Sequence, residues 1–279
     1  MELIALPALA DNYIWMLRDG SQALVVDPGD AAVVCRALDE HSLELSGILV
    51  THHHADHVAG LPSLQGRLKG PVWGPAGEAI AGVDHPVREG DRITVLGVSF
   101  EVLDVPGHTA GHVAYFGAEV PLSAASGGSA AAGLQALASA SSSTCEPVLF
   151  CGDTLFSAGC GRVFDGTVEA LHDSVQRLGA LPCATLLCCT HEYTLANLRF
   201  AQAVEPDNSE IDAHARHCEA LRAEGRPTLP SRIALERRIN PFLRCDQPAV
   251  ASSARPHGAA DADPRAVFAA LRRWKNTFQ

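Results

Sequence analysis

Short apolar runs separated by turn residues fill the first half of the chain, and their spacing predicts strands more than helices. Glu2–Leu6, Tyr13–Asp19 and Ala23–Asp27 are β-type runs closed by the turn signal Asp27-Pro28-Gly29-Asp30. Ala31–His41 then reads as a short helix, and Ser46–Thr51 as a continuous apolar strand. Further strands are expected at Gly70–Gly74, Asp91–Gly97, Val98–Gly107, His112–Gly117 and Pro147–Asp153. Helices are interspersed with these strands and do not alternate strictly, so the pattern favours a layered α/β domain over a doubly wound sheet.

After about residue 190 the period changes. Thr194–Pro206, Ser209–Gly225, Ser231–Arg244 and Asp263–Phe278 carry helical spacing with Pro and Gly between them. In the last, Val267, Leu271, Trp274 and Phe278 form one apolar stripe. The expected organisation is a domain over 1–190 followed by a helical appendage over 191–279. One stretch fits neither pattern. Between Leu122 and Thr144, 18 of 23 residues are Ser, Ala or Gly, a composition that buries little and predicts a flexible insertion spanning about 118–146.

The remaining bulk properties narrow the function. A chain of 279 residues with 47% hydrophobic and 19% charged residues can build a sizeable core. No apolar run reaches the length needed to cross a bilayer, and without a basic stretch followed by an apolar one no secretion signal is expected at the N-terminus. The nine cysteines form no paired framework. Cys151, Cys183, Cys188 and Cys189 sit in apolar runs and are expected as buried small hydrophobes, in a reducing, cytoplasmic setting. A net charge of −11 argues against nucleic acid as a partner. An anionic small substrate would need a local cluster of cations.

The candidate chemistry lies in His52-His53-His54-Ala55-Asp56-His57, at the end of an apolar strand. His52 and His54 are two apart, so an extended backbone points both one way and His53 the other. Asp56 and His57 follow where the chain turns into a helix. Three other metal-capable residues lie just past hydrophobic runs: His108 in "VPGHT", Asp153 in "FCGDT" and His191 in "CCTHEY". Converging loops assemble sites from such positions. His112, His41, His85, His172, His214, His217 and His257 carry no comparable signal. Asp27 is a candidate to orient a ligand from behind, or simply a turn residue.

"THHHADH", "GHT", "GDTLFSAGCGR" and "HEYT", in that order, resemble the glyoxalase II (hydroxyacylglutathione hydrolase) family of the metallo-β-lactamase superfamily. The resemblance runs from "LADNYIW" to "RRWKNTF" and leaves out only the Ser/Ala insertion. It implies an αββα sandwich with a C-terminal α-helical domain. It also implies two divalent metal ions per chain: one held by His52, His54 and His108, the other by Asp56, His57 and His191, with Asp153 bridging. Zinc suits this set, and iron or manganese can accept it. Arg272, Lys275 and Arg162 match the family's glutathione-carboxylate contacts, and Phe164 and Tyr193 stand at its corresponding aromatic positions. Phe164 is a departure, since a hydroxylated ring is common there.

The implied reaction is hydrolysis of S-(2-hydroxyacyl)glutathione, typically S-D-lactoylglutathione, to glutathione and D-lactate, the second step of methylglyoxal detoxification. A metal-supplied hydroxide would be the nucleophile, with no protein nucleophile needed. A thiolate of pKa about 8.5 leaves without a strong general acid, which favours a thioester over an amide. The chain is expected to act as a monomer, with no nucleic-acid or membrane partner. The alternatives are a glutathione persulfide dioxygenase with one iron, an RNA-processing nuclease on the same core, and a non-enzymatic metal-binding protein. The helical C-terminus with its Arg/Lys motif disfavours the first, the acidic charge the second, and the complete ligand set the third.

Overall fold

The computed structural model describes residues 1–123 and 144–278, which form two compact units. The first comprises residues 1–104 and the described part of 113–152; the second comprises residues 105–112 and those from 153 onward.

The first unit is built on a mixed sheet. Strands β1 (Glu2–Ala8), β2 (Asn12–Asp19) and β3 (Gln22–Val26) pair antiparallel. Helix α1 (Ala31–His41) then returns the chain so that β4 (Glu44–Leu49) lies parallel to β3. Short helices α2 (Ala55–Val58) and α3 (Leu61–Leu64) lead to β5 (Val72–Pro75) and β6 (His85–Val87), which extend the parallel edge. Strands β7 (Arg92–Val95), β8 (Val98–Asp104), β9 (Val113–Leu122) and β10 (Thr144–Gly152) form an antiparallel meander.

Helix α1 forms where the sequence predicts it because both ends are closed. The Asp30 carboxylate accepts Ala32 N–H at 2.8 Å, and Ser42 ends the helix in the left-handed region. Its buried face, Val34, Ala37 and Leu38, packs into a cluster with Ile14, Met16, Val25 and Ile48. Along β2, Tyr13, Trp15 and Leu17 point to the opposite face and are buried as well, so this sheet is covered on both sides. Tyr115 of β9 donates its hydroxyl to Val50 O at 2.8 Å, and Val113 N–H reaches Thr51 O at 3.0 Å. Those bonds fasten the meander to the chain just past β4, where the histidines begin.

The flanks of the expected insertion are ordered strand. β9 runs to Leu122, β10 starts at Thr144, and these two residues pair across the ladder. Residues 118–122 and 144–146 therefore belong to the sheet, which corrects the wider estimate of 118–146. The Ser/Ala segment itself, residues 124–143, lies outside the described residues.

The second unit contains the hairpin β11 (Leu155–Phe156) and β12 (Gly159–Cys160), helix α4 (Val168–Gly179) and strand β13 (Leu186–Cys189). Helices α5 (Thr194–Val204) and α6 (Ser209–Ala223) follow, then the short β14 (Ser231–Arg232) paired with β13. Helices α7 (Ile233–Ile239), α8 (Pro248–Ala254) and α9 (Pro264–Thr277) complete it. The helix expected over Ser231–Arg244 is shorter because Pro241 cannot continue it. Asn240 instead turns the chain, its Oδ1 accepting Phe242 N–H at 3.1 Å. Helix α4 was not expected, although Leu171, Val175 and Leu178 bury one face of it and Thr167 caps it. Of the cysteines, Cys151, Cys188 and Cys189 are buried as expected, but Cys183 is exposed. It sits in the turn before β13, where Arg237 Nη1 lies 3.3 Å from its sulfur. No helix among the described residues is long and apolar enough to cross a membrane.

Candidate functional site

The first unit gathers His52, His54, Asp56 and His57 where the chain leaves β4 and enters α2. Asp27 stands behind them. Its left-handed backbone (φ 52°) lies in a region that Asp tolerates better than most residues. The carboxylate accepts Thr51 N–H at 2.8 Å, the Thr51 hydroxyl at 2.7 Å and His57 Nδ1 at 3.0 Å. Because Asp27 takes the Thr51 proton, Thr51 Oγ1 is left to accept from His52 Nδ1, 3.0 Å away. Both imidazoles are thereby fixed with Nδ1 protonated and the Nε2 lone pair directed away from Asp27.

Those lone pairs face other side-chain atoms able to ligate a metal. His52 Nε2 lies 3.0 Å from His54 Nδ1, and the His52 and His57 rings are centred 4.0 Å apart. His57 Nε2 lies 3.5 Å from Asp56 Oδ2, an oxygen that also accepts Asn12 Nδ2 at 3.0 Å. A lone-pair nitrogen facing a carboxylate oxygen at that distance suits a cation between them. Gly29 makes the arrangement sterically possible: a Cβ there would sit 1.8 Å from the Asp56 carbonyl oxygen. His53 turns to Glu78 instead, with Nδ1 2.9 Å from its carboxylate.

The second unit holds His108, Asp153 and His191 together. His108 Nδ1 donates to Arg162 O at 2.8 Å, which leaves the Nε2 lone pair 3.5 Å from Asp153 Oδ2. The same carboxylate oxygen lies 3.3 Å from His191 Nε2. One oxygen between two imidazole nitrogens again fits a bound cation. His112 braces this group: its Nε2 accepts Asp153 N–H at 3.2 Å. Tyr193 stacks on His191 with centroids 4.7 Å apart, and Phe164 meets His108 edge-on at 5.1 Å. Both aromatic rings are exposed at their outer sides.

The donor set of the described residues is thus suited to holding a metal ion. The roles of its supports escaped the sequence: Asn12 and Thr51 lay inside quoted motifs with no role assigned, and His112 matched no ligand position.

Arg162, Arg272 and Lys275 also lie in the second unit. Arg162 is exposed. Arg272 is buried; one guanidinium nitrogen donates to Cys160 O and Gly161 O at 2.9 and 3.1 Å, and another to Asn276 Oδ1 at 3.1 Å. Lys275 Nζ donates to Ala196 O at 3.0 Å and lies 5.2 Å from the Phe200 ring centre. Burial first, then the positive charges of Arg272, Arg199 and Arg162, lower its pKa to about 8.

The hairpin between Asp153 and Arg162 is held from inside. Glu236, fully buried on α7, accepts Ser157 Oγ at 2.9 Å, Ala158 N–H at 2.7 Å, Asn240 Nδ2 at 3.2 Å and the Ser231 hydroxyl. Asn240 Nδ2 also reaches Gly159 O at 2.9 Å, and Asn197 Nδ2 reaches Ser157 O at 3.0 Å. At Gly161 a Cβ would meet the Asp153 carbonyl oxygen at 1.9 Å, so the turn closes only with glycine.

Comparison with known proteins adds the lineage. Residues 10–120 match the metallo-β-lactamase superfamily, and residues 192–278 match the hydroxyacylglutathione hydrolase C-terminus. A hydroxyacylglutathione hydrolase of Albidiferax ferrireducens is 48% identical over 278 residues, covering all of both chains. One of Chromohalobacter salexigens is 48% identical over 280 residues with the same coverage. Among solved structures, ETHE1 from Myxococcus xanthus superposes with a TM-score of 0.59 at 26% identity, covering 86% of this chain and 84% of the other.

Proposed function

The chain belongs to the hydroxyacylglutathione hydrolase family of the metallo-β-lactamase superfamily, and from that premise we propose that it is a metal-dependent thioesterase acting on S-(2-hydroxyacyl)glutathione. The observation that carries this reading is the full-length identity to such hydrolases, which includes the C-terminal helices bearing Arg272 and Lys275. The fold is that of the superfamily, an α/β metallo-β-lactamase core followed by a helical C-terminal region. In functional terms, residues 1–190 would carry the metal ligands except His191, and residues 191–279 would add the helical part of the substrate site.

His52, His54 and His108 would hold one divalent ion, Asp56, His57 and His191 a second, and Asp153 would bridge them. Zinc is the first choice for these ligands, with iron or manganese also compatible. When bound, such ions supply water of lowered pKa and polarise a carbonyl. The chain's own residues do the rest. Asp27, Thr51 and Arg162 O keep His52, His57 and His108 in the tautomer whose Nε2 can ligate. Asn12 holds the Asp56 carboxylate in place. Phe164 and Tyr193 flank two of the histidines and offer apolar surface to the acyl and thiol portions. Phe164 does so without the hydrogen bond a hydroxylated ring would make. Arg162, Arg272 and Lys275 favour the anionic peptide portion, and the leaving thiolate needs no dedicated acid.

The persulfide dioxygenase reading rests on the resemblance in fold to the Myxococcus xanthus protein. The match of residues 192–278 to the hydrolase C-terminus speaks for the hydrolase. The two separate in one experiment: purified protein is given S-D-lactoylglutathione or glutathione persulfide. Release of thiol and D-lactate without oxygen uptake supports the hydrolase; oxygen consumption with the persulfide overturns it.

A further inference from the structure

Five arginines of the second unit, Arg222, Arg226, Arg238, Arg244 and Arg265, are each paired with a carboxylate. Several other cations of that unit are not, and four of these lie close together. Arg162, Arg199, Arg272 and Lys275 have no acidic partner among the described residues, although the chain carries a net charge of −11. They are also near one another, since the charges of Arg272, Arg199 and Arg162 are all felt at Lys275. Lys275 binds the α5 backbone at Ala196 O and lies over Phe200, which brackets Arg199 on that helix. Arg199 is exposed at this point, on the helix that opens one residue after Tyr193. Gathering like charges without counter-ions costs stability, and an arriving anion offsets that cost.

Only three of these cations have a role in the proposed reaction. We propose that Arg199 is a further specificity-determining residue, which binds a carboxylate of the glutathione portion of the substrate together with Lys275. This rests on the hydrolase reading. Glutathione presents two carboxylates, and a planar guanidinium beside an ammonium can give one of them three donors. Because Arg199 is exposed, its contribution falls steeply with salt.

The test compares wild type, Arg199→Ala and Arg199→Lys on two thioesters at low and high ionic strength. One is S-D-lactoylglutathione. The other is the same lactoyl group on N-acetylcysteamine, which lacks the carboxylates. Arg199→Ala is expected to raise KM for the glutathione thioester about threefold to tenfold at low salt, with kcat and metal content unchanged. Arg199→Lys recovers part of the loss, high salt shrinks it, and the carboxylate-free thioester shows none of it. An unchanged KM at low salt, or an equal loss on both thioesters, overturns the assignment. Titration of glutathione into wild type and Arg199→Ala keeps the two ideas apart. If wild type cleaves neither thioester, the hydrolase reading fails on its own. The Arg199 assignment then stands on weaker glutathione binding by the variant and falls if the affinities match.

Discussion

Glu236 gives the sharpest stability prediction, because its partners are unequal. Two of the four donors it accepts are serine hydroxyls, from Ser157 and Ser231, which can rotate and act as acceptors. The other two are amide donors, Ala158 N–H and Asn240 Nδ2. Glutamine can satisfy all four: its oxygen faces the amides and its NH₂ faces the hydroxyls. Alanine satisfies none. Asn240 retains Phe156 O and Gly159 O, so the group left stranded is Ala158 N–H, together with a cavity where the carboxylate was. A stranded buried donor costs ~1–3 kcal/mol and the cavity adds to it, so Glu236→Ala should lose about 2–4 kcal/mol. At ~2–4 °C per kcal/mol for a chain of this size, its Tm falls roughly 5–15 °C, whereas Glu236→Gln stays within about 3 °C of wild type.

The pH dependence checks the same carboxylate. Burial raises its pKa above the ordinary value of 4.5, against the pull of its hydrogen bonds. The folded form therefore binds the proton more tightly than the unfolded form. This contribution is fully present below the ordinary carboxyl range and is lost as pH rises through the folded pKa. Wild type should thus gain on Glu236→Gln as pH is lowered toward 4.5. Thermal unfolding followed by circular dichroism reads both effects. Equal losses for the two variants, or a loss under about 3 °C for alanine, would refute the assigned network.

Lys275 predicts a pH effect on binding. Its pKa, lowered to about 8 chiefly by burial, means that it is charged at pH 7 and neutral at pH 9. The KM for S-D-lactoylglutathione should rise as pH passes 8, and Lys275→Met should flatten that rise; an unaltered profile would remove Lys275 from substrate binding. Replacing Arg272 and Lys275 together should raise KM while sparing metal content. Because the Arg272 side chain also fastens Cys160 O and Gly161 O, that double variant should melt lower than Lys275→Met alone. Replacing residues 124–143 by a short Asn-Gly turn between the paired Leu122 and Thr144 should cost little cooperativity in unfolding; a broadened transition would show that the segment contributes to stability.

Much of the fold was legible where local signals agreed. The run Asp27-Pro28-Gly29-Asp30 followed by Val34, Ala37 and Leu38 contains a turn, a cap and a buried stripe, and α1 begins and ends where those signals place it. The histidines were legible for the same reason, since strand period and chain order bring His52 and His54 to one face. Long-range partners were not legible. Asn12 meets Asp56 across 44 positions and Ala158 meets Glu236 across 78, distances at which no periodicity carries information. His112 resembled a spare neighbour of His108 until the fold put its Nε2 under Asp153 N–H. Cys183 misled because an apolar neighbourhood in sequence lies at an exposed turn in space. Arg272 reads as the outer face of an amphipathic helix, yet it is buried with its charge turned toward the hairpin carbonyls.

The central claim is that this chain cleaves glutathione thioesters by means of metal held on the named histidines and aspartates. Its most direct test follows loss of thioester absorbance from S-D-lactoylglutathione, with metal quantified in the same samples of wild type and Asp153→Ala. The account predicts turnover by wild type carrying close to two divalent ions per chain, and loss of both metal and nearly all activity in the variant. Thioester hydrolysis by metal-free wild type, or an Asp153→Ala protein that keeps its metal and its rate, would contradict it.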